Sequence, residues 1–178
     1  MRNVSATQVI RDAHKRLRGL FEQVEAIPDR APEMKNGIYL EIMAELLIHI
    51  RTTSEYFYPA IKATSTQTGL GAISDGFLSH RASMQLLQRL RKVKPGMPQY
   101  SEIFDDLIDE VTVHMEDEER GILRQAEELL SAEQLLKLGE QMQKRRTELL
   151  KSPELAAAHP QRVQNPHGGE QKRKRTAA

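Results

Sequence analysis

The chain contains no cysteine, which removes disulfides, thiolate metal ligands, iron–sulfur clusters and a cysteine nucleophile together. It also has no tryptophan, and aromatic residues make up only 4% of it, so a core must be built mainly from Leu, Ile, Val and Met. No run approaches 18 apolar residues, and Met1 to His14 has no hydrophobic signal segment, so neither a membrane span nor a leader is expected and a cytoplasmic location is. Charge of one sign is lacking too: the net charge of +1 sends no electrostatic message as a whole. Its distribution is uneven. From Lys151 to Ala178 six basic residues face two acidic ones (+4), which leaves about −3 on the preceding 150 residues.

What is there is helical periodicity in five segments. The first runs from Ser5, which forms a capping-box pattern with Gln8, to Glu25. A turn-rich break from Ile27 to Pro32 precedes a second helix over Glu33–Ala63, which Pro59 should kink or whose regular part it should end. Ser65–Ser74, with Gly69 and Gly71, reads as a loop. A third helix is expected over Asp75–Val93, stopped by Pro95-Gly96 and Pro98, and a fourth over Ser101–Leu130. Ser131 with Gln134 caps a fifth, reaching Lys151. Strand signals are absent. The expected fold is all-α: an up-down antiparallel four-helix bundle with an additional C-terminal helix, in one domain over residues 1–152. Residues 153–178, with Pro160, Pro166, Gly168-Gly169 and the run Lys172 to Arg175, read as a disordered basic tail. That short run has no interleaved aromatics, so a solubilising role is expected and nucleic-acid binding is not.

Four of the six histidines fall one to a helix, each on an apolar stripe. The stripes read Ile10, His14, Leu17, Phe21, Val24; then Ile42, Leu46, His49, Thr53, Phe57; then Phe77, His80, Met84, Leu87; then Leu107, Val111, His114, Glu118, Ile122. Spacings of three and four put each set on one helix face, and in a bundle those faces point inward. A single inward histidine is usually satisfied by a carbonyl or water. Four of them, one per helix, invite a shared partner, because burying unpaired imidazoles is costly and neutral imidazole is a common metal ligand. Glu118 is four residues after His114, so a carboxylate oxygen and a ring nitrogen can serve one centre. His159 and His167 lie in the tail and read as solvated.

The order His14, His49, His80, His114-x-x-x-Glu118 resembles the hemerythrin-like HHE cation-binding family, whose pattern is His, His-x-x-x-Glu, His, His-x-x-x-Glu. Leu47-Ile48-His49 leading to Tyr56-Phe57-Tyr58-Pro59, and His114-Met115-Glu116-Asp117-Glu118-Glu119, resemble that family's two His/Glu segments. The resemblance covers about residues 5–150. It implies two irons, oxo- or hydroxo-bridged, inside the bundle, with His14 and His49 serving one, His80 and His114 the other, and Glu118 bridging. It further implies a small ligand such as O2 or peroxide, and binding, sensing or peroxide removal as the activity, without deciding whether the protein is an enzyme.

The sequence departs from the family pattern at Thr53, which stands where the first bridging Glu belongs. Oxygen-carrying members add a histidine in the third helix, and Met84 does not supply it. Glu45 and Glu110, each four residues before a bundle histidine, are the replacements to consider, Glu45 first. Tyr56 and Tyr58 could hydrogen-bond near the site or simply pack. The alternative reading is a non-enzymatic regulatory protein with a mononuclear or zinc site, since histidines with one carboxylate suit zinc as well.

Overall fold

The computed structural model describes residues 4–28, 32–65, 67–94, 96–153 and 155. Within them the chain is all-helical: α1 (Ala6–Glu25), α2 (Pro32–Thr52), a π-helical turn (Thr53–Phe57), α3 (Tyr58–Thr64), α4 (Gln67–Leu90), α5 (Pro98–Arg120), α6 (Ile122–Leu129) and α7 (Ala132–Leu149). Most of the expected tail, with His159 and His167, lies outside the described residues. Leu155 is buried with Ala44, Leu47, Ile48 and Leu149 against α2 and α7, so packed structure extends past residue 152.

Two apolar clusters fix the topology. One gathers Leu17 and Phe21 of α1, Ile42 and Leu46 of α2, Leu87 and Leu90 of α4, and Phe104, Leu107 and Met115 of α5. The other gathers Ile10, Phe57 with Ile61, Ile73, and Ile122 with Leu123. Along α1 the chain passes from the second cluster to the first, along α2–α3 from first to second, along α4 back again, and along α5–α6 once more to the second. Four passes joined by three reversals make an up-down antiparallel bundle. The α7 helix packs across α1 and α2 from outside.

The helix ends follow local chemistry. Ser131 and Gln134 form both halves of a capping box at α7. At α1 only half forms: Ser5 Oγ accepts from the Gln8 amide, while the Gln8 side chain turns to Asp12 instead. Pro98 opens α5 as a first-turn residue, where its missing N–H costs nothing, and does not act only as a stop.

Three expectations are corrected. The segment from Gln67 to Ser74 is helical, because Ala72 and Ile73 pack on the cluster shared with α3 and α6, which outweighs the helix-weakening glycines. The fourth helix breaks at Gly121, whose φ of −103° and ψ of −87° turn the chain into α6. Phe77 is 40% exposed and sits edge-on to Tyr58, so it does not belong to the inward stripe of α4.

Ahead of Pro59 the regular part of the second helix ends: α2 stops at Thr52 and a π-helical turn leads into α3. The preceding turn widens, with the Tyr58 N–H donating to the Thr53 carbonyl five residues back. A proline here cannot donate to a residue four back and its ring crowds that carbonyl; one wide turn accommodates both. The extra residue rotates the remainder of the helix by about 100° relative to an unbroken α-helix. Phe57, Tyr58 and Ile61 are consequently all fully buried.

Candidate metal centre

Between the two apolar clusters lies a polar layer. His14 sits between Ile10 and Leu17, His49 between Leu46 and Phe57, His80 between Ile73 and Leu87, and His114 with Glu118 between Val111 and Ile122. All five are buried, with 0–4% of their surface exposed. The heptad-like spacing of each stripe therefore delivers one imidazole per helix to a single depth in the bundle.

The ring nitrogens converge. His49 Nε2 is 3.3 Å from His114 Nε2, and His80 Nε2 is 3.1 Å from the same atom. Glu118 Oε2 is 3.0 Å from His14 Nε2, 3.6 Å from His49 Nε2 and 3.9 Å from His114 Nε2. His49, His80, His114 and Glu118 each offer a ligand atom within 4.8 Å of the others. Proximity is not pairing, however. His14 Nε2 and both Glu118 oxygens are buried without a hydrogen bond, as is the Tyr58 hydroxyl. Orphaned donors and acceptors in an apolar interior are costly unless something binds them, and a cation among lone pairs satisfies several at once.

Protonation favours the same occupant. Burial pushes the His49 imidazole well below its ordinary range, pushes His80 down to about 3 and lowers His114, with mutual repulsion among the histidines adding to the effect. These rings are neutral at neutral pH, the form that ligates. Burial would raise the Glu118 carboxyl, but His49, His14 and His114 outweigh that and hold it below the usual carboxylate range, so it stays anionic.

Outer contacts hold two of the rings. His14 Nδ1 is 2.8 Å from Glu119 Oε1, which also accepts from Arg18 at 2.9 Å. His80 Nδ1 is 3.0 Å from Ser54 Oγ, and the Tyr58 ring lies flat on His80 at 5.2 Å and 8°. Such partners direct the opposite nitrogen, Nε2, into the centre. Sequence spacing did not reveal Glu119, Arg18 or Ser54, because Glu119 and Ser54 reach histidines on other helices and Arg18 reaches Glu119.

The remaining candidates are placed elsewhere. Glu45 is gripped by Arg146 at 2.8 and 2.5 Å and by Arg16 at 3.1 Å; against the upward pull of burial, these guanidiniums lower its carboxyl, and it is not brought into the histidine layer. Glu110 accepts from Ser79 Oγ at 2.6 Å. Thr53 is fully buried but turns its hydroxyl back to the His49 and Ile50 carbonyls. Tyr56 is half-buried against the second apolar cluster.

Comparison with known proteins agrees with this geometry. The profile of the hemerythrin HHE cation binding domain matches residues 5–126. The chain belongs to that family. The uncharacterized protein Rv2633c of Mycobacterium tuberculosis and its Mycobacterium bovis counterpart are each 26% identical to this HHE chain over 151 residues, 84% of it and 90% of theirs. The crystal structure of an HHE cation binding domain-containing protein from Mycobacterium kansasii, a homolog of Rv2633c, superposes with a TM-score of 0.70 at 22% identity. It covers 92% of this chain and 94% of that one, and the two share a fold. Among the described residues no helix is long and apolar enough to cross a membrane.

Proposed function

We propose that this HHE protein is a non-haem iron protein that handles O2, peroxide or iron at a two-iron centre held by His14, His49, His80, His114 and Glu118. One observation carries the reading: five buried ligand-type side chains converge, and the carboxylate at their middle has no hydrogen bond on either oxygen. The His14 and His49 rings lie 5.0 Å apart between centroids and those of His80 and His114 4.6 Å apart, with Glu118 Oε2 within 3.9 Å of His14, His49 and His114. That arrangement supports a centre in which the four histidines and Glu118 would share the ligation of the iron. Iron bound there supplies redox chemistry toward small oxidants. The protein's share is to hold the ligands neutral and oriented, and to keep bulk water out with the apolar clusters above and below. Thr53 offers no carboxylate, and Glu45 is engaged by its arginines, so Glu118 would be the carboxylate that holds the metal. The orphaned Tyr58 hydroxyl is the oxygen left near Glu118.

A second reading draws on the compact set His49, His80, His114 and Glu118: four ligand atoms within 4.8 Å suit a single tetrahedral ion such as zinc, and with it a regulatory rather than redox role.

Metal per chain and the absorption spectrum of aerobically purified protein separate the two. Two irons with near-ultraviolet charge-transfer bands support the first reading; one colourless metal supports the second. His49→Ala or His114→Ala should remove at least half the metal while far-ultraviolet circular dichroism stays helical. Full metal retention in both variants sinks the site.

A further inference from the structure

Two cavities approach the histidine layer from opposite sides, and they differ in charge and width. Between α1, α2 and α7 a dent of about 10 Å³ reaches His49, rimmed by Arg16 and Arg146. It has room for one water at most. Between α4 and α5 a cleft of about 150 Å³ runs from exposed Asp75 and Asp117, past Gly76 and Ser79, to His114 and Glu118 at its floor. That is space for about five waters. Among the described residues no Lys or Arg lines it, and the Ser79 hydroxyl on its wall donates to a further carboxylate, Glu110.

From this contrast we infer that the α4–α5 cleft is the loading port for a divalent cation, with Asp75 and Asp117 as its mouth and Glu118 as the group that receives the ion. The inference rests on the metal-site reading above and adds the route. Neither Glu118 oxygen makes a hydrogen bond, the residue is 1% exposed, and it lines this cleft, so the acidic mouth leads to a buried acceptor. A fully hydrated ion does not fit, and it sheds part of its water shell against the mouth carboxylates before meeting Glu118. On the opposite side the Glu45 carboxylate pairs with both rim guanidiniums and offsets only one of their two charges, and the passage is too narrow to admit an ion. Charges of one sign around a low-dielectric cleft raise the local concentration of the opposite ion and its rate of arrival, an effect that salt screens.

The test uses full-length protein stripped of metal with a chelator, mixed with Co²⁺ in a stopped-flow instrument, with final cobalt per chain measured on the same samples. Asp75→Asn with Asp117→Asn should slow uptake about ten-fold at low salt and flatten its salt dependence. Final occupancy should equal the parent's. Glu102→Gln with Glu140→Gln, exposed acids elsewhere on α5 and α7, changes net charge equally and should load at the parental rate. Parental kinetics in the Asp75/Asp117 variant, or equal slowing in the control, overturns the port while leaving the metal site standing. Lower occupancy at an unchanged rate overturns it as well, by making the two aspartates ligands. A parent that takes up no cobalt refutes the metal-site reading itself, and the port with it.

Discussion

A Cβ placed on Gly76 would lie 2.6 Å from the Tyr58 hydroxyl oxygen and 2.9 Å from the carbon that bears it. The Tyr58 ring cannot swing away freely, being fully buried and stacked on His80. Two effects oppose each other in Gly76→Ala. Replacing a mid-helix glycine by alanine gains about 1 kcal/mol, whereas overpacking a tight core costs about 1–3 kcal/mol. Loss should win, and urea unfolding should show Gly76→Ala less stable than the parent. Adding Tyr58→Phe removes the nearest colliding atom, and a hydroxyl that has no hydrogen bond, so the double variant should regain stability over Gly76→Ala alone. If the second change instead destabilises further, the close contact is not what costs the energy.

At the scale of the element, the wide turn Thr53–Phe57 sets which residues reach the core. Pro59 is exposed, so Pro59→Ala restores a backbone donor without emptying any buried space. One regained hydrogen bond is worth about 1 kcal/mol. Resetting the turn to a regular α-helix would rotate Phe57, Tyr58 and Ile61 out of the core, at about 1.5–3 kcal/mol each. The turn should therefore persist, with metal content unchanged and stability within about 1 kcal/mol of the parent. Loss of bound metal in Pro59→Ala would mean that the proline, not the packing, holds the register.

The same turn marks the limit of what the sequence discloses. His14, His49, His80 and His114 are legible because helical spacing ties each to its own apolar stripe, and the bundle follows from those stripes. Pro59 is legible as a disturbance, but whether a helix bends, stops or widens depends on Phe57, Tyr58 and Ile61 finding places in a core built by other helices. Gly69 and Gly71 mislead for a related reason: local preference says loop, and the burial of Ile73 against α3 and α6 decides for helix. Ser54, Glu119 and Arg18 escape because a contact between helices carries no periodicity in either one.

For the whole molecule, the buried neutral histidines govern acid stability. His80 is held near 3 in the folded chain against an ordinary value of 6.5, and His49 and His114 are lowered in the same sense. A group whose folded value is depressed is protonated first in the unfolded chain. Its contribution is fully present above about 6.5 and is lost as pH falls toward its folded value. Metal-free protein should accordingly show a flat melting temperature above pH 7 and a steady fall from pH 6.5 downward, measured by scanning calorimetry. Constant stability down to pH 4 would mean that these rings are not buried neutral.

Gly139 of α7 faces the backbone at the start of α1, so closely that a Cβ would lie 2.0 Å from the Val4 carbonyl oxygen. The first turn of the chain is thus seated against a helix made some 130 residues later. On a ribosome adding about 5–20 residues per second, α1 waits on the order of ten seconds for that seat. His14 rides on α1, and so the wall of the histidine layer that it forms gains its last support only once α7 has been made.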